Sequence, residues 1–196
     1  RSSGQEQGLR PEGSVSSNGK PKDHFGLVLA IPTRGTMRME WALALRDLAM
    51  PLNCSHVIRT VIGKDVVEAR NIAMQDALEL DAEYLVFLDD DVLIPPQALH
   101  RMFYLMRHNP DWDLLTGIVT TKTIQPEPCI FRKDVSGAFW DWKFPDTFPI
   151  DACGMAFCMI RLSTVKEKLK EPWFKWPKGM DEDTYREMGE DIYFCH

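Results

Sequence analysis

The chain has 196 residues, and its 23 Lys plus Arg against 29 Asp plus Glu leave a net charge of −6, which supplies no field to gather nucleic acid. Its apolar runs fall short of the roughly 20 residues a membrane helix needs, and no charged-then-apolar signal segment opens the chain, so a cytoplasmic protein without a transmembrane segment is expected. The 5 cysteines are an odd count without C-x-x-C spacing, which argues against a zinc or disulfide framework and for buried free thiols.

Residues 1–24 are poor in apolar side chains and rich in Ser, Gly, Gln, Glu and Lys, the composition of a disordered arm or an expression remnant. Residues 25–196 have ordinary globular composition and suit one domain. "FGLVLAIPTRG" (25–35) reads as an apolar strand ending in a turn, and Met37, Trp41, Ala44, Leu45 and Leu48 then recur at helical spacing up to Pro51. "SHVIRTVIG" (55–63) is a second strand, and Val66, Ala69, Ala73, Ala77 and Leu80 trace a second helix. "EYLVFL" (83–88) is a third strand, followed by the acids of "DDDVLIPP" and a helix through Leu99, Met102, Phe103 and Met106 that Pro110 closes.

Strands alternating with helices predict parallel pairing with right-handed crossovers over the first 110 residues. Ligands in such sheets bind beyond the carboxyl ends of the strands. The Thr33–Arg34–Gly35 turn, the Gly63–Lys64–Asp65 turn and Asp89–Asp90–Asp91 should therefore face one crevice. The second part has strands at "DLLTGIVTTK" (113–122) and "IDACGMAFCMIR" (150–161), where Cys153 and Cys158 fall on opposite faces of a single strand. Thr164 and Glu167 have capping-box spacing, and Glu190–Asp191 open a last helix.

Three consecutive carboxylates at a strand end need an explanation, since two of them about 5 Å apart repel by roughly 3 kcal/mol at an effective dielectric near 20. Either a proton is retained or a cation is bound. Hard divalent ions take carboxylate oxygens and bridge them to diphosphate, whereas the bland reading of the same run is a solvated acidic turn. A haloacid-dehalogenase type of phosphatase also sets acids after an apolar strand, but its D-x-D belongs near the first strand with Thr close by, unlike "DDDVLIPP" on the third.

"AIPTRG", "EARNIAMQDAL", "YLVFLDDDVLIPP", "GMAFCMIR" followed by "PWF", and "GEDIYFC" occur in the order found in glycosyltransferase family 2-like proteins, which the chain resembles over roughly residues 25–195. The resemblance implies the GT-A (nucleotide-diphospho-sugar transferase) fold: a single α/β domain with a Rossmann-like central mixed β-sheet flanked by helices. Its nucleotide-binding half would be 25–110 and its acceptor half 111–196. It implies an inverting, hexosyltransferase type of enzyme that moves a sugar from a UDP- or GDP-sugar to a sugar or other hydroxyl acceptor with the help of Mn2+ or Mg2+.

Carried over by position, the resemblance sets Thr33 and Arg34 beside base and ribose, with Arg70, Asn71, Asp89 and Asp90 also on the nucleotide-sugar. Asp91, with Asp89, would hold the metal, and Asp191, chosen over Glu190, would be the general base. Trp140, Trp142, Gly154, Trp173 and Trp176 are the candidate acceptor residues, against the plainer reading of the tryptophans as packing. The plainer alternatives are Arg34 and Arg70 as surface charges, and Glu190–Asp191 as acids favoured at a helix start. The family pattern continues past the acidic pair to a further strand and a metal-binding His, so a chain truncated at its C-terminus is expected, with His196 pointing away from the base. The competing functional reading is a non-catalytic sugar-nucleotide-binding module or an inactive fragment.

Overall fold

In the computed structural model, which describes residues 26–132, 137–176 and 189–196, local patterning explains the first half of the chain. β1 (Leu27–Thr33), α1 (Met39–Arg46), β2 (His56–Ile62), α2 (Val66–Glu79), β3 (Tyr84–Leu88) and α3 (Ala98–His108) alternate as expected. β1 pairs in parallel with both β2 and β3. The Asp65 carboxylate accepts a hydrogen bond from the Glu68 amide (3.1 Å), capping α2.

The second half adds β4 (Leu114–Thr116), β5 (Ile130–Phe131), β6 (Ala152–Cys153), β7 (Phe157–Arg161), α4 (Leu162–Lys168) and α5 (Glu190–Cys195). β7 enters the sheet antiparallel to β3 and β4, giving the order β2-β1-β3-β7-β4, while β5 and β6 form a small second sheet. The molecule is thus a mixed α/β domain with a five-stranded central sheet flanked by helices, in agreement with the fold expected from sequence. Among the described residues, no helix is long and apolar enough to cross a membrane.

The pleat decides which side each residue serves. Leu27, Leu29 and Ile31 of β1 and Tyr84, Val86 and Leu88 of β3 pack with Trp41, Leu99, Met102 and Met106 under α1 and α3. Val28, Ala30, Leu85 and Phe87 point the other way, onto Ala69, Ala73, Met74 and Ala77 of α2. β3, buried along its whole length, reads as a continuous apolar run for that reason. Each buried Leu, Val, Ile, Phe or Met among them contributes about 1.5–3 kcal/mol by leaving water.

Three expectations change. The strand over 150–161 is two strands, because a turn at Met155–Ala156 follows Gly154 and sends β6 and β7 into different sheets. Cys153 and Cys158 consequently share one core cluster instead of opposite faces. The strand over 113–122 stops at Thr116, with a last amide contact from Gly117 to the Phe157 carbonyl (3.0 Å). The Thr164–Glu167 capping box is absent: α4 begins at Leu162, and the Thr164 hydroxyl donates instead to Asp113 (2.7 Å).

Candidate functional site

Parallel pairing of β1, β2 and β3 gathers their carboxyl ends on one edge of the sheet. At the end of β1, Thr33 is buried, its hydroxyl oxygen accepts from the Gly35 amide (3.0 Å), and its carbonyl accepts from the Gly63 amide (2.9 Å). Gly35 (φ 97°) and Gly63 (φ 70°) take backbone conformations that side chains disfavour. Arg34 between them is exposed.

The acid turn at the end of β3 is anchored from three directions. The Asp89 amide donates to the Ala156 carbonyl (2.9 Å), and the Asp89 carbonyl accepts from the Val92 amide (3.2 Å) and from the Trp41 indole (3.0 Å). Its three carboxylates then face different surroundings. Asp89 is half-buried with Oδ2 3.5 Å from Arg70 Nη2, Asp90 is half-buried, and Asp91 is exposed and ion-paired with Lys122.

Arg70 links this turn to the end of the chain. Buried at 3% exposure, it comes off α2 beside the small face made by Ala69 and Ala73, and it pairs with Glu190 of α5 as well as with Asp89. Burial pushes the Glu190 carboxyl up, with Arg70 opposing and Asp191 adding to the rise. Asp89 is raised in the same way, by burial first, with Arg70 again opposing and Asp91 and Asp90 reinforcing. One buried guanidinium therefore leaves a surplus of negative charge, and its Nε is buried without a hydrogen-bond partner.

Asp191, next to Glu190, sits between glycines. Its Oδ1 accepts from the Ile192 amide (2.8 Å), and a Cβ at Gly154 would lie 3.5 Å from its Oδ2 and 3.1 Å from the Cys129 Cβ. A Cβ at Gly189 would come within 2.6 Å of Oδ1. Gly154 therefore belongs to the immediate surroundings of Asp191.

The other sequence candidates separate. Asn71 is fully engaged: its carbonyl oxygen accepts from the Trp173 (2.9 Å) and Phe174 (3.1 Å) amides, and its amide donates to the Phe174 (2.8 Å) and Val67 (3.0 Å) carbonyls. An amide has no further capacity, so Asn71 clamps the 173–174 segment rather than offering a contact to a nucleotide. Arg70 is likewise spent on carboxylates instead of reaching toward a ligand. Trp173 is buried in the core beside Phe174, which assigns it to packing. Trp142 is half-buried with an unpartnered indole nitrogen, while Trp140 and Trp176 are exposed. His196 is exposed at the end of α5, where Ile192 is buried.

Sequence reasoning missed the roles of four residues. Trp41 reads as a core residue, which it is, but its indole also holds the acid turn. Lys122 carries no motif. Cys153 and Cys195 approach each other, the Cys195 thiol donating to the Cys153 carbonyl oxygen (3.9 Å), and the proximity of the two thiols together with burial pushes the Cys153 thiol up. A cavity of about 420 Å³, lined in part by Cys153, Thr164, Lys168, Phe194 and Cys195, lies apart from the acid turn, none of whose residues lines it.

Among the described residues, no cluster of three or more His, Cys, Asp and Glu side chains is assembled around a metal position. Asp89 and Asp91 nevertheless fit a hard divalent ion in kind, since both offer carboxylate oxygen at the same strand end. Such an ion would complete its shell with ligand oxygens and water.

Fold and site together define an α/β protein with a turn of three carboxylates at the carboxyl edge of its parallel strands. The chain is similar to a solved structure described as "Crystal Structure of A197 from STIV", at 25% identity and a TM-score of 0.58, over 86% of this chain and 75% of that one. No family model matches the sequence, and no curated protein matches it.

Proposed function

We propose that the protein is a metal-dependent glycosyltransferase of the GT-A type, transferring a sugar with inversion from a UDP- or GDP-sugar to an acceptor hydroxyl. The observation that carries the reading is the meeting, through Arg70, of the acid turn at Asp89–Asp91 with Glu190 and Asp191. The ordered family-like motifs of the sequence support the same assignment.

In this reading the two acids of α5 divide the work by environment. Glu190, buried against Arg70, is a structural counter-ion. Asp191, held by a backbone amide and facing the space left by Gly154, takes the proton of the acceptor hydroxyl as its oxygen attacks the anomeric carbon. The bond from that carbon to the diphosphate breaks, and the diphosphate leaves with the electron pair. A sugar hydroxyl is a poor nucleophile, which is why a positioned base is required. Asp91 and Asp89 would hold the divalent ion, which when bound offsets the charge of the leaving diphosphate. Exposed Trp140 and Trp176 supply aromatic surface suited to the C–H faces of an acceptor sugar.

The test is a panel of UDP- and GDP-sugars measured by calorimetry with and without Mn2+, followed by product analysis with candidate acceptors. Manganese-dependent binding of at least one donor and release of its diphosphate are expected. Absence of binding across the panel would overturn the reading, and binding without transfer or hydrolysis would favour the non-catalytic module.

A further inference from the structure

We propose that Lys122 is a diphosphate-binding residue at the acid turn, held in reserve on Asp91 and transferred to the phosphates when ligand and cation arrive. The proposal rests on the donor class proposed above. Lys122 projects from a tied loop between β4 and β5, not from a free-running segment. The Cys129 amide donates to the Val119 carbonyl (2.8 Å), Thr120 bridges Pro128, and the Thr121 amide donates to the Glu127 carbonyl (2.8 Å). Across the tip, the Thr121 hydroxyl oxygen accepts from the Glu127 amide (2.9 Å) and shares a hydrogen bond with the Thr123 hydroxyl (3.1 Å), which reaches the Gln125 carbonyl (2.6 Å). The loop is built, and its product is an ammonium on Asp91.

That pair does little for folding. Its side chains are 60% and 52% exposed, and ion pairs so placed contribute almost nothing to stability. Charge gives it a purpose. Asp89, Asp90, Asp91, Glu190 and Asp191 oppose an approaching diphosphate, and the buried Arg70 is already committed to two of them. Among the described residues, Lys122 is the exposed cation paired with this acid turn. A compact ammonium on a flexible stem suits phosphate oxygens. A divalent ion on Asp91 would release the ammonium at the place where diphosphate oxygens gather. The lysine therefore competes with the cation and cooperates with the diphosphate.

Opposite signs make the test decisive. In Lys122→Met, Mn2+ alone, titrated by the electron paramagnetic resonance of the free ion, should bind severalfold more tightly because Asp91 has lost its counter-ion. Calorimetry with UDP and GDP at saturating Mn2+ should show affinity weakened about tenfold, the effect of one charge-assisted hydrogen bond. Uridine and guanosine binding should be unchanged, and Lys122→Arg should retain most of the diphosphate affinity. An unaltered thermal midpoint confirms that the variants fold. Unchanged UDP and GDP affinity in Lys122→Met, an equal loss for the nucleosides, or weakened Mn2+ binding would overturn the role of Lys122 while leaving the donor class intact. Failure of the unmodified protein to bind either diphosphate with Mn2+ would remove both.

Discussion

Arg70 shows how much one side chain carries here. Its guanidinium, 3% exposed, is the counter-charge for Asp89 and Glu190, and removing one member of a buried ion pair costs about 3–5 kcal/mol by leaving the other charge uncompensated. Arg70→Leu should therefore lower the urea midpoint sharply. Arg70→Leu combined with Glu190→Leu should recover part of the loss, and a double variant no more stable than the single one would contradict this electrostatic account. Asp191 is the contrasting case, since no ion pair restrains its carboxylate among the described contacts. Asp191→Asn should leave donor affinity near the original value and remove transfer, measured by calorimetry and product formation. A parallel fall in donor affinity would place Asp191 on the nucleotide side instead.

At the scale of elements, Gly154 separates β6 from β7 and leaves space at Asp191. Gly154→Ala would put a Cβ 3.1 Å from the Cys129 Cβ, a close approach of the kind that costs about 1–3 kcal/mol when a packed site must yield. Because that Cβ would also meet Asp191 Oδ2 at 3.5 Å, transfer should fall while Mn2+-dependent donor binding persists. Equal transfer rates for the two proteins would separate Gly154 from the base. Asp113 joins α4 to the start of β4, accepting from the Thr164 hydroxyl (2.7 Å) and Lys168 (2.9 Å). These partners hold its carboxyl below the usual aspartate range. A carboxyl depressed on folding stabilises above its unfolded pKa of about 3.9 and loses that contribution as pH falls through the folded value. With the side chain 52% exposed, screening limits the effect to about 0.5–1 kcal/mol. Asp113→Asn should cost that amount in urea unfolding at pH 7 and nothing near pH 2, and a constant difference across the range would refute the linkage.

For the molecule as a whole, the proposed donor would join strand ends, the loop carrying Lys122 and α5, so its binding should stabilise the fold globally. A ligand at about a hundredfold over its dissociation constant adds about 2.7 kcal/mol, or about 5–10 °C in a domain of this size. UDP or GDP with Mn2+ should raise the thermal midpoint by that order, and the gain should vanish in Asp91→Asn. A gain that survives in the variant would move the ligand away from the acid turn.

The sequence by itself determined the parts that depend on near neighbours. The uninterrupted apolar runs of β1 and β3 and helical spacing in α1, α2 and α3 specify conformation and burial locally. These local patterns led to the parallel β2-β1-β3 core and the gathering of Thr33, Gly63 and the acid turn on one edge. The site's inner wiring was not legible. Glu190 meets Arg70 across 120 residues of chain, and Lys122 reaches Asp91 from a loop without a motif. Asn71, expected at the ligand, is consumed by a segment about a hundred residues away. Tertiary structure decided these because β7 inserts antiparallel between β3 and β4, and the turn at Met155–Ala156 that permits this sits inside a run that reads locally as one strand. Side-chain chemistry between distant segments depends on that order of strands, and local periodicity carries no term for it.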